Sequence, residues 1–167
     1  MTIPREWELL GANSGELPVE GAGAETVVRL HTDVCRPLAA RLAGDPENAA
    51  REHVYLTLEE IRGHFDAALL RVFLQLPEGA RPADHPSLCA GTLGLYGLNR
   101  ASAGQGKGLE SILDITPMLQ QQRPVQLLDL DALRVAILPQ RELPAQAGIV
   151  VGRVRLFRQQ YAVRRTA

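Results

Sequence analysis

The chain has 167 residues, of which 46% are hydrophobic and 22% charged, and its net charge is −1. This length suits a single domain that buries roughly two thirds of its unfolded surface. The near-neutral charge gives no electrostatic basis for binding nucleic acid or an anionic membrane. No run approaches the ~20 apolar residues that span a bilayer. No apolar run follows Met1, so we expect a cytoplasmic protein without a signal peptide.

Residues 1–24 are predicted to be a lead-in linker, because they hold four glycines and Pro18 and show no sustained hydrophobic period. Trp7, the only tryptophan, lies within this segment. An isolated aromatic residue on a loose arm either packs back on its own domain or serves as a docking anchor for a partner. Both interpretations of Trp7 stay open.

The domain itself is predicted to span residues 25–160, and residues 161–167 form a basic tail that we expect to fray. Thr26–Thr32 alternates apolar and polar residues and predicts the first strand. Pro37–Gly44 has a helical composition but is short, which predicts a helical connection.

From His53 onward the hydrophobic period is two, which is typical of half-buried strands. The strand that begins at His53 is predicted to end at Glu59 and Glu60, both exposed. The next strand runs from Leu70 to Leu76. Ser87–Leu98 carries glycine at every third position from Gly91, which predicts a bent or bulged strand.

Asn99–Gly108 is predicted to be a flexible surface loop. Leu109–Leu119 predicts a strand whose end either stops at Pro117 or caps a short helix there. Two further strands, Leu133–Pro139 and Val150–Phe157, follow the same alternating pattern, with Arg153 and Arg155 facing outward in the second.

These segments predict an all-β fold: an antiparallel β-sandwich or jelly-roll-like barrel of about seven strands with a short helical connection. The inward face of the strands is predicted to form the core, with residues facing one another across two sheets. The residues assigned to this face are Leu70, Val72, Leu74, Leu133, Val135, Ile137, Val154 and Leu156.

No catalytic or metal-binding pattern accompanies the strands. The four histidines (His31, His53, His64 and His85) are too few for a type-3 copper centre, which needs six imidazoles, and none is paired at helical spacing. They are expected to lie on the surface, or His31 or His64 holds a weak accessory copper ion. Cys35 and Cys89 lack a Cys-x-x-Cys partner and are expected to be free, buried thiols. Gly104–Gly108 departs from the phosphate-loop pattern at two positions.

Several segments resemble, in the same order, the β-rich C-terminal domain of bacterial tyrosinases and polyphenol oxidases. The strand 55–63, the strand 70–79 with its Leu-Pro turn, and the Ala-Gly-Thr strand 90–97 are similar to those of the family. Residues 133–139 and 151–156 continue the series, and Glu8-Leu9-Leu10-Gly11-Ala12 resembles the linker that precedes this domain.

The resemblance implies an accessory domain or subunit that packs over a type-3 copper catalytic domain, with no cofactor bound by this chain and the copper held by the partner. Such a domain holds the enzyme latent, stabilises it or assists copper loading, and is not itself an enzyme. If it covers the copper-site entrance, a side chain on a turn should project into that entrance. Leu95, Tyr96 and Leu98 are the candidates for this plug.

Alternatives remain both for Tyr96 and for the chain as a whole. In a purely structural interpretation, Tyr96 packs in the sheet with its hydroxyl at the rim. For the chain as a whole, one alternative is a self-sufficient β-sandwich module that binds a protein or carbohydrate. The other is an unrecognised enzyme, since a fold does not fix a function.

Overall fold

The structure of the chain, a computed structural model, describes residues 2–4, 7–121, 127–128 and 131–163. Within these residues the architecture is all-β, with a few short helices. The strands are β1 (Thr2–Pro4), β2 (Glu8–Ala12), β3 (Leu17–Val19), β4 (Ala24–Leu30), β5 (Glu52–Arg62), β6 (Leu69–Leu74), β7 (Cys89–Gly94), β8 (Leu109–Asp114), β9 (Ala132–Pro139) and β10 (Ile149–Val163). The helices are α1 (Thr32–Ala43), α2 (Pro46–Ala49), α3 (Leu98–Ser102) and α4 (Thr116–Gln121), with 3₁₀ turns at Pro82–Asp84 and Pro86–Leu88.

The strands form one continuous antiparallel sheet in the order β7-β6-β9-β4-β2-β10-β5-β8, and β1 and β3 also pair with β10. The sheet curves until its two edge strands approach each other. A Cβ atom added to Gly91 on β7 would come within 2.9 Å of the Leu113 side chain on β8. The fold is therefore a nearly closed barrel, which confirms the predicted all-β class.

Strand β10 organises the barrel, because it pairs with four of the other strands described here. Its longest pairing is with β5, where Val154 lies opposite Leu58 and Leu156 opposite Leu56. All four of these side chains are buried. Inward-facing residues on both strands therefore pack directly against the interior of the barrel.

The eight residues predicted to form the core are all buried, so the assigned inward face is confirmed. They do not face one another across two separate sheets, as the prediction had it. Strands β4 and β2 connect β9 to β10, so one sheet wraps around a single interior. Helix α1 adds Cys35, Leu38 and Leu42 to the same core.

The predicted lead-in linker contains strands instead. Strand β2 lies between β4 and β10, and its Leu10 is fully buried. Strand β3 pairs with the beginning of β10. Pairing with β10 fixes this segment, so it belongs to the barrel. On the other side, β10 continues to Val163, into the predicted tail, and residues 164–167 lie outside the described part of the chain.

Three local expectations are settled by the backbone. The predicted short helical connection is a twelve-residue helix, with Pro37 in its interior. A short helix does follow Thr116, as one of the two interpretations of that segment proposed. The predicted irregularity at the glycine-rich strand is confirmed by a register shift between β6 and β7. None of the helices in the described residues is long and apolar enough to cross a membrane.

Candidate functional site

The turn between β7 and α3 presents an exposed tyrosine on a buried base. Leu95 and Leu98 are almost fully buried, whereas Tyr96 between them is 92% exposed. The Leu98 amide donates to the Leu95 carbonyl at 3.0 Å, and Gly97 takes a positive φ of 82° that allows the chain to turn there. Of the three residues predicted as a plug, only Tyr96 can therefore contact a partner. The purely structural interpretation, in which Tyr96 packs in the sheet, is wrong.

Hydrogen bonds hold this turn in place from the α3 side. The Asn99 amide donates to the Asp66 carboxylate at 2.7 Å. The Ser102 hydroxyl accepts from the Gly63 amide at 3.0 Å and donates to the Leu98 carbonyl at 2.6 Å. Residues 98–102 are thus helical, and only residues 103–108 of the loop predicted over 99–108 lie outside helix and strand.

An open cavity of about 360 Å³ lies beside Tyr96, where the barrel is not closed. It lies between the two edge strands, which share no backbone pairing in the described sheet. Its lining includes Leu93, Leu95 and Tyr96 from one side and Leu109 and Glu110 from the other. Tyr96 therefore stands at the mouth of a gap in the sheet.

A second exposed feature is an aromatic cluster on the outer face of β5 and β10. The Trp7 ring is stacked on Tyr55 at 4.8 Å between centroids, and it contacts Phe157 at 5.5 Å. His53 and Tyr161 extend the cluster through an edge-to-face contact at 4.8 Å. Burial, together with the hydrogen bond to Tyr161, raises the pKa of Tyr55 to about 12.

Trp7 thus packs back on its own domain, as one of the two interpretations proposed, yet remains 39% exposed. The strand alternation placed Tyr55 on the outer face but gave no sign of the cluster. The register that brings Phe157 opposite Tyr55 joins segments about a hundred residues apart, and no local pattern encodes it.

Glu59, predicted to be exposed at a strand end, is instead buried beside Arg155 of β10. The Arg155 guanidinium donates to both carboxylate oxygens of Glu59. Thr57 donates to the same carboxylate at 2.9 Å. The hydrogen bonds from Arg155 lower the pKa of Glu59. The outward direction predicted for Arg155 is compatible with this pair, because both side chains lie on the outer face of the sheet.

This pair predicts a stability that depends on pH. The lowered pKa of Glu59 means that its ion pair stabilises the fold fully above the ordinary glutamate pKa of about 4.5, and that this contribution is lost as the pH falls through the folded-state pKa. The difference in unfolding free energy between the wild type and Glu59→Gln should therefore be constant from pH 5 to 7. It should shrink below about pH 4.5, as measured by urea unfolding at each pH. An equal difference at all pH values would contradict the assignment.

A second ion pair lies inside the barrel, near α1. Glu52 on β5 is fully buried, and Arg158 on β10 donates to both of its carboxylate oxygens at 2.6 and 2.7 Å. The Arg41 guanidinium of α1 lies 3.3 Å from the same carboxylate, and the side-chain amide of Gln160 donates to it at 3.2 Å. The hydrogen bonds to Glu52 raise the pKa of Arg158. The arrangement is a satisfied structural network, because each charged group has partners.

The described residues contain no group of three or more histidine, cysteine, aspartate or glutamate side chains placed to hold a metal ion. His31 lies at the start of α1, and His53 lies in the aromatic cluster. Both cysteines are free: Cys35 is buried and Cys89 only half-buried. Burial raises the pKa of the Cys35 thiol to about 11, which suits an inert structural residue.

The structure therefore defines an all-β barrel domain that carries exposed aromatic side chains at Trp7 and Tyr96. The chain belongs to the family described as Domain of unknown function (DUF7868), which matches residues 6–159. No curated protein matches the chain.

Solved structures of plant enzymes share the fold. A recombinantly expressed latent aurone synthase, a polyphenol oxidase, has a TM-score of 0.53 at 14% identity, over 87% of this chain and 26% of the enzyme. The same enzyme from its natural source has a TM-score of 0.52 at 14% identity, with the same coverage. Latent apple tyrosinase has a TM-score of 0.50 at 16% identity, over 87% of this chain and 27% of that one. The chain thus spans about a quarter of the length of these enzymes.

Proposed function

We propose that this chain is a non-catalytic accessory domain or subunit that packs on a type-3 copper enzyme. The observation that carries the proposal is the fold match, in which most of this chain corresponds to a quarter of enzymes described as latent. The order of the sequence motifs supports assigning that quarter to the C-terminal domain of the tyrosinase family. We propose that the present chain is a bacterial form of this domain. In the proposal, the copper and the chemistry belong to the partner, and this chain helps to keep the enzyme latent or stable.

The residues of this chain do not fit a dicopper centre. Six imidazoles are required and the chain has four, of which His31 lies at the start of α1 and His53 in the aromatic cluster. We therefore expect the isolated chain, after copper loading, to retain no tightly bound copper pair and to oxidise no catechol. Metal analysis and a catechol-oxidation assay measure this. Two retained copper ions per chain would overturn the proposal.

Tyr96 is proposed as the residue that contacts the entrance of the partner's copper site. It is a phenol, it is almost fully exposed, and it stands on a turn fixed by Leu95, Leu98 and the Asp66 hydrogen bond. A rigid base lowers the entropy lost when a projecting side chain is bound, which favours such a contact.

The test uses the copper protein captured from the source organism by the tagged chain. Adding wild-type chain should inhibit catechol oxidation, and Tyr96→Ala should inhibit at least about tenfold less, which corresponds to roughly 1.4 kcal/mol of binding energy. Because Tyr96 touches little of its own domain, its removal should leave the unfolding free energy within about 0.5 kcal/mol. Arg153→Ala, an exposed change elsewhere on the barrel, is the matched control. Equal inhibition by all three proteins would reject Tyr96 as the plug while leaving the accessory role standing.

The aromatic cluster favours a second candidate function, a self-sufficient module that binds a carbohydrate or a protein through Trp7. Exposed aromatic rings on a sheet are suited to both kinds of ligand. In this case Trp7→Ala, and not Tyr96→Ala, would abolish capture of the ligand that copurifies with the native chain. Capture of a sugar or of a protein without copper would favour this alternative.

A further inference from the structure

Residues 75–82, which follow β6, form a covering segment over part of the outside of the barrel. It leaves the sheet at Gln75, whose side-chain oxygen accepts from the Arg134 amide on β9 at 2.6 Å. Beneath this segment Phe73 of β6 lies opposite Ala136 of β9, and both are buried although they are on the outer face. The barrel therefore has a small second apolar layer outside its main core.

An open cavity of about 530 Å³ lies within this second layer. Its walls are mainly apolar, and they are formed by the covering segment on one side and by β9 on the other. The apolar residues that line it include Leu76, Pro77, Ala80, Pro82, Ala136, Leu138 and Pro139. Pockets of roughly 300–1,000 Å³ with mostly apolar walls are typical of sites for small molecules.

One cation in the wall has no counterion among the residues that the structure describes. Arg71 of β6 lines the cavity, and it makes no ion pair or hydrogen bond with the residues that the structure describes. Its Nε atom is closed to solvent and has no hydrogen-bond partner, and its guanidinium carbon lies over the Phe73 ring, 5.5 Å from the centroid. Buried polar groups are rarely left without a partner, so this donor calls for an explanation.

The two acidic residues at the cavity do not neutralise Arg71. Glu25 is 3.8 Å from Arg134, with which it forms an ion pair. Glu78 is exposed and has no ion pair within the described residues. Their negative charge repels a dianion such as phosphate more strongly than it repels a single carboxylate, and a guanidinium binds a carboxylate through two parallel hydrogen bonds.

We propose that this cavity binds a small monocarboxylic acid with an apolar, ring-sized body, and that the carboxylate pairs with Arg71. The apolar body would occupy the space between Leu76, Pro82 and Leu138, and the carboxylate would supply the partner that the Arg71 guanidinium lacks. The site is independent of the proposed accessory function, because neither Tyr96 nor Trp7 lines it.

The test compares cinnamate with cinnamamide, two ligands of equal shape that differ in charge. Isothermal titration of the wild-type chain should show that cinnamate binds at least about tenfold more tightly than cinnamamide, as expected for hydrogen bonds between charged groups. Cinnamate should also raise the melting temperature of the chain in proportion to its occupancy. Equal affinity for both ligands, or no binding of either at millimolar concentration, would overturn the proposal.

Two matched variants locate the site. Arg71→Met keeps an unbranched apolar stem but removes the guanidinium and its charge, so it should abolish the preference for cinnamate. Arg81→Met removes the same charge from an exposed position next to the cavity and should leave the preference intact. Arg71→Met should also melt at or above the wild-type temperature, because an unpaired, partly buried cation is lost. A preference for cinnamate that survives in Arg71→Met, or that disappears in Arg81→Met, would reject Arg71 as the binding residue.

Discussion

Replacing Arg158 with methionine should lower the free energy of unfolding by about 3–5 kcal/mol, because it leaves the buried Glu52 carboxylate without its main partner. Glu52 is fully buried, and Arg158 supplies two of its hydrogen bonds from a side chain that is only 14% exposed. Arg41 and Gln160 also contact Glu52, so the loss should fall toward the lower end of this range. Urea unfolding at pH 7 measures the change.

Two comparisons separate the buried pair from ordinary surface charge. Arg153→Met, which removes an arginine from the same strand but breaks only an exposed contact of 3.9 Å with Glu60, should cost less than about 1 kcal/mol. The double variant Glu52→Leu/Arg158→Met should recover part of the stability lost in Arg158→Met, because no unpaired charge remains inside. If Glu52→Leu lowered the unfolding free energy of Arg158→Met by as much as it lowers that of the wild type, Glu52 and Arg158 would not form a coupled pair.

Truncating Leu74 to alanine should cost about 2–5 kcal/mol, through lost apolar transfer energy and the cavity left behind. Leu74 is fully buried and lies opposite Val135 of β9, so the surrounding strands cannot move in to fill the space without breaking their pairing. Thermal or urea unfolding of the purified variant measures the effect.

Leu69→Ala is the matched control, since it is the same substitution on the same strand at a position that is 44% exposed. It should change the unfolding free energy by no more than about 0.5 kcal/mol. An equal loss in both variants would show that the inward face of β6 has been assigned incorrectly.

Sequence patterns located the strands whose two faces see different surroundings. The four longest strands, β10, β5, β9 and β4, were all located by the pattern, because one face of each lines the barrel interior, although β10 runs six residues beyond its predicted end at Phe157. A half-buried strand must alternate apolar and polar residues, so the period of two is a direct imprint of the barrel. The same pattern identified the core.

The features that were missed depend on contacts between distant segments. Strands β2 and β3 contain glycine or proline and too few residues to show a period, and pairing with β10 is what makes them strands. Asn13, for example, accepts a hydrogen bond from Val154, 141 residues away. The burial of Phe73 and Glu59 has the same origin, since a covering segment and an arginine on another strand enclose outer-face positions.

The exposed tyrosine was predictable in part. Glycine beside an aromatic residue indicated a turn, and the turn exists. The burial of Leu95, Tyr96 and Leu98 differs, however, because the three-dimensional path of the chain decides which side chains reach the interior. A strand period does not extend through a turn, so alternation gave no information there.

The position of β10 also determines when the barrel can form during synthesis. Without it, the sheet separates into one piece from β7 to β2 and another of β5 with β8. Translation proceeds at roughly 5–20 residues per second, so the earlier strands wait on the order of ten seconds for β10 to be made. Leu10, Leu56 and Leu58 are buried in the finished barrel, and their strands gain β10 as a neighbour only at the end of that interval. The barrel can therefore close only after β10 has been made and has joined the two pieces.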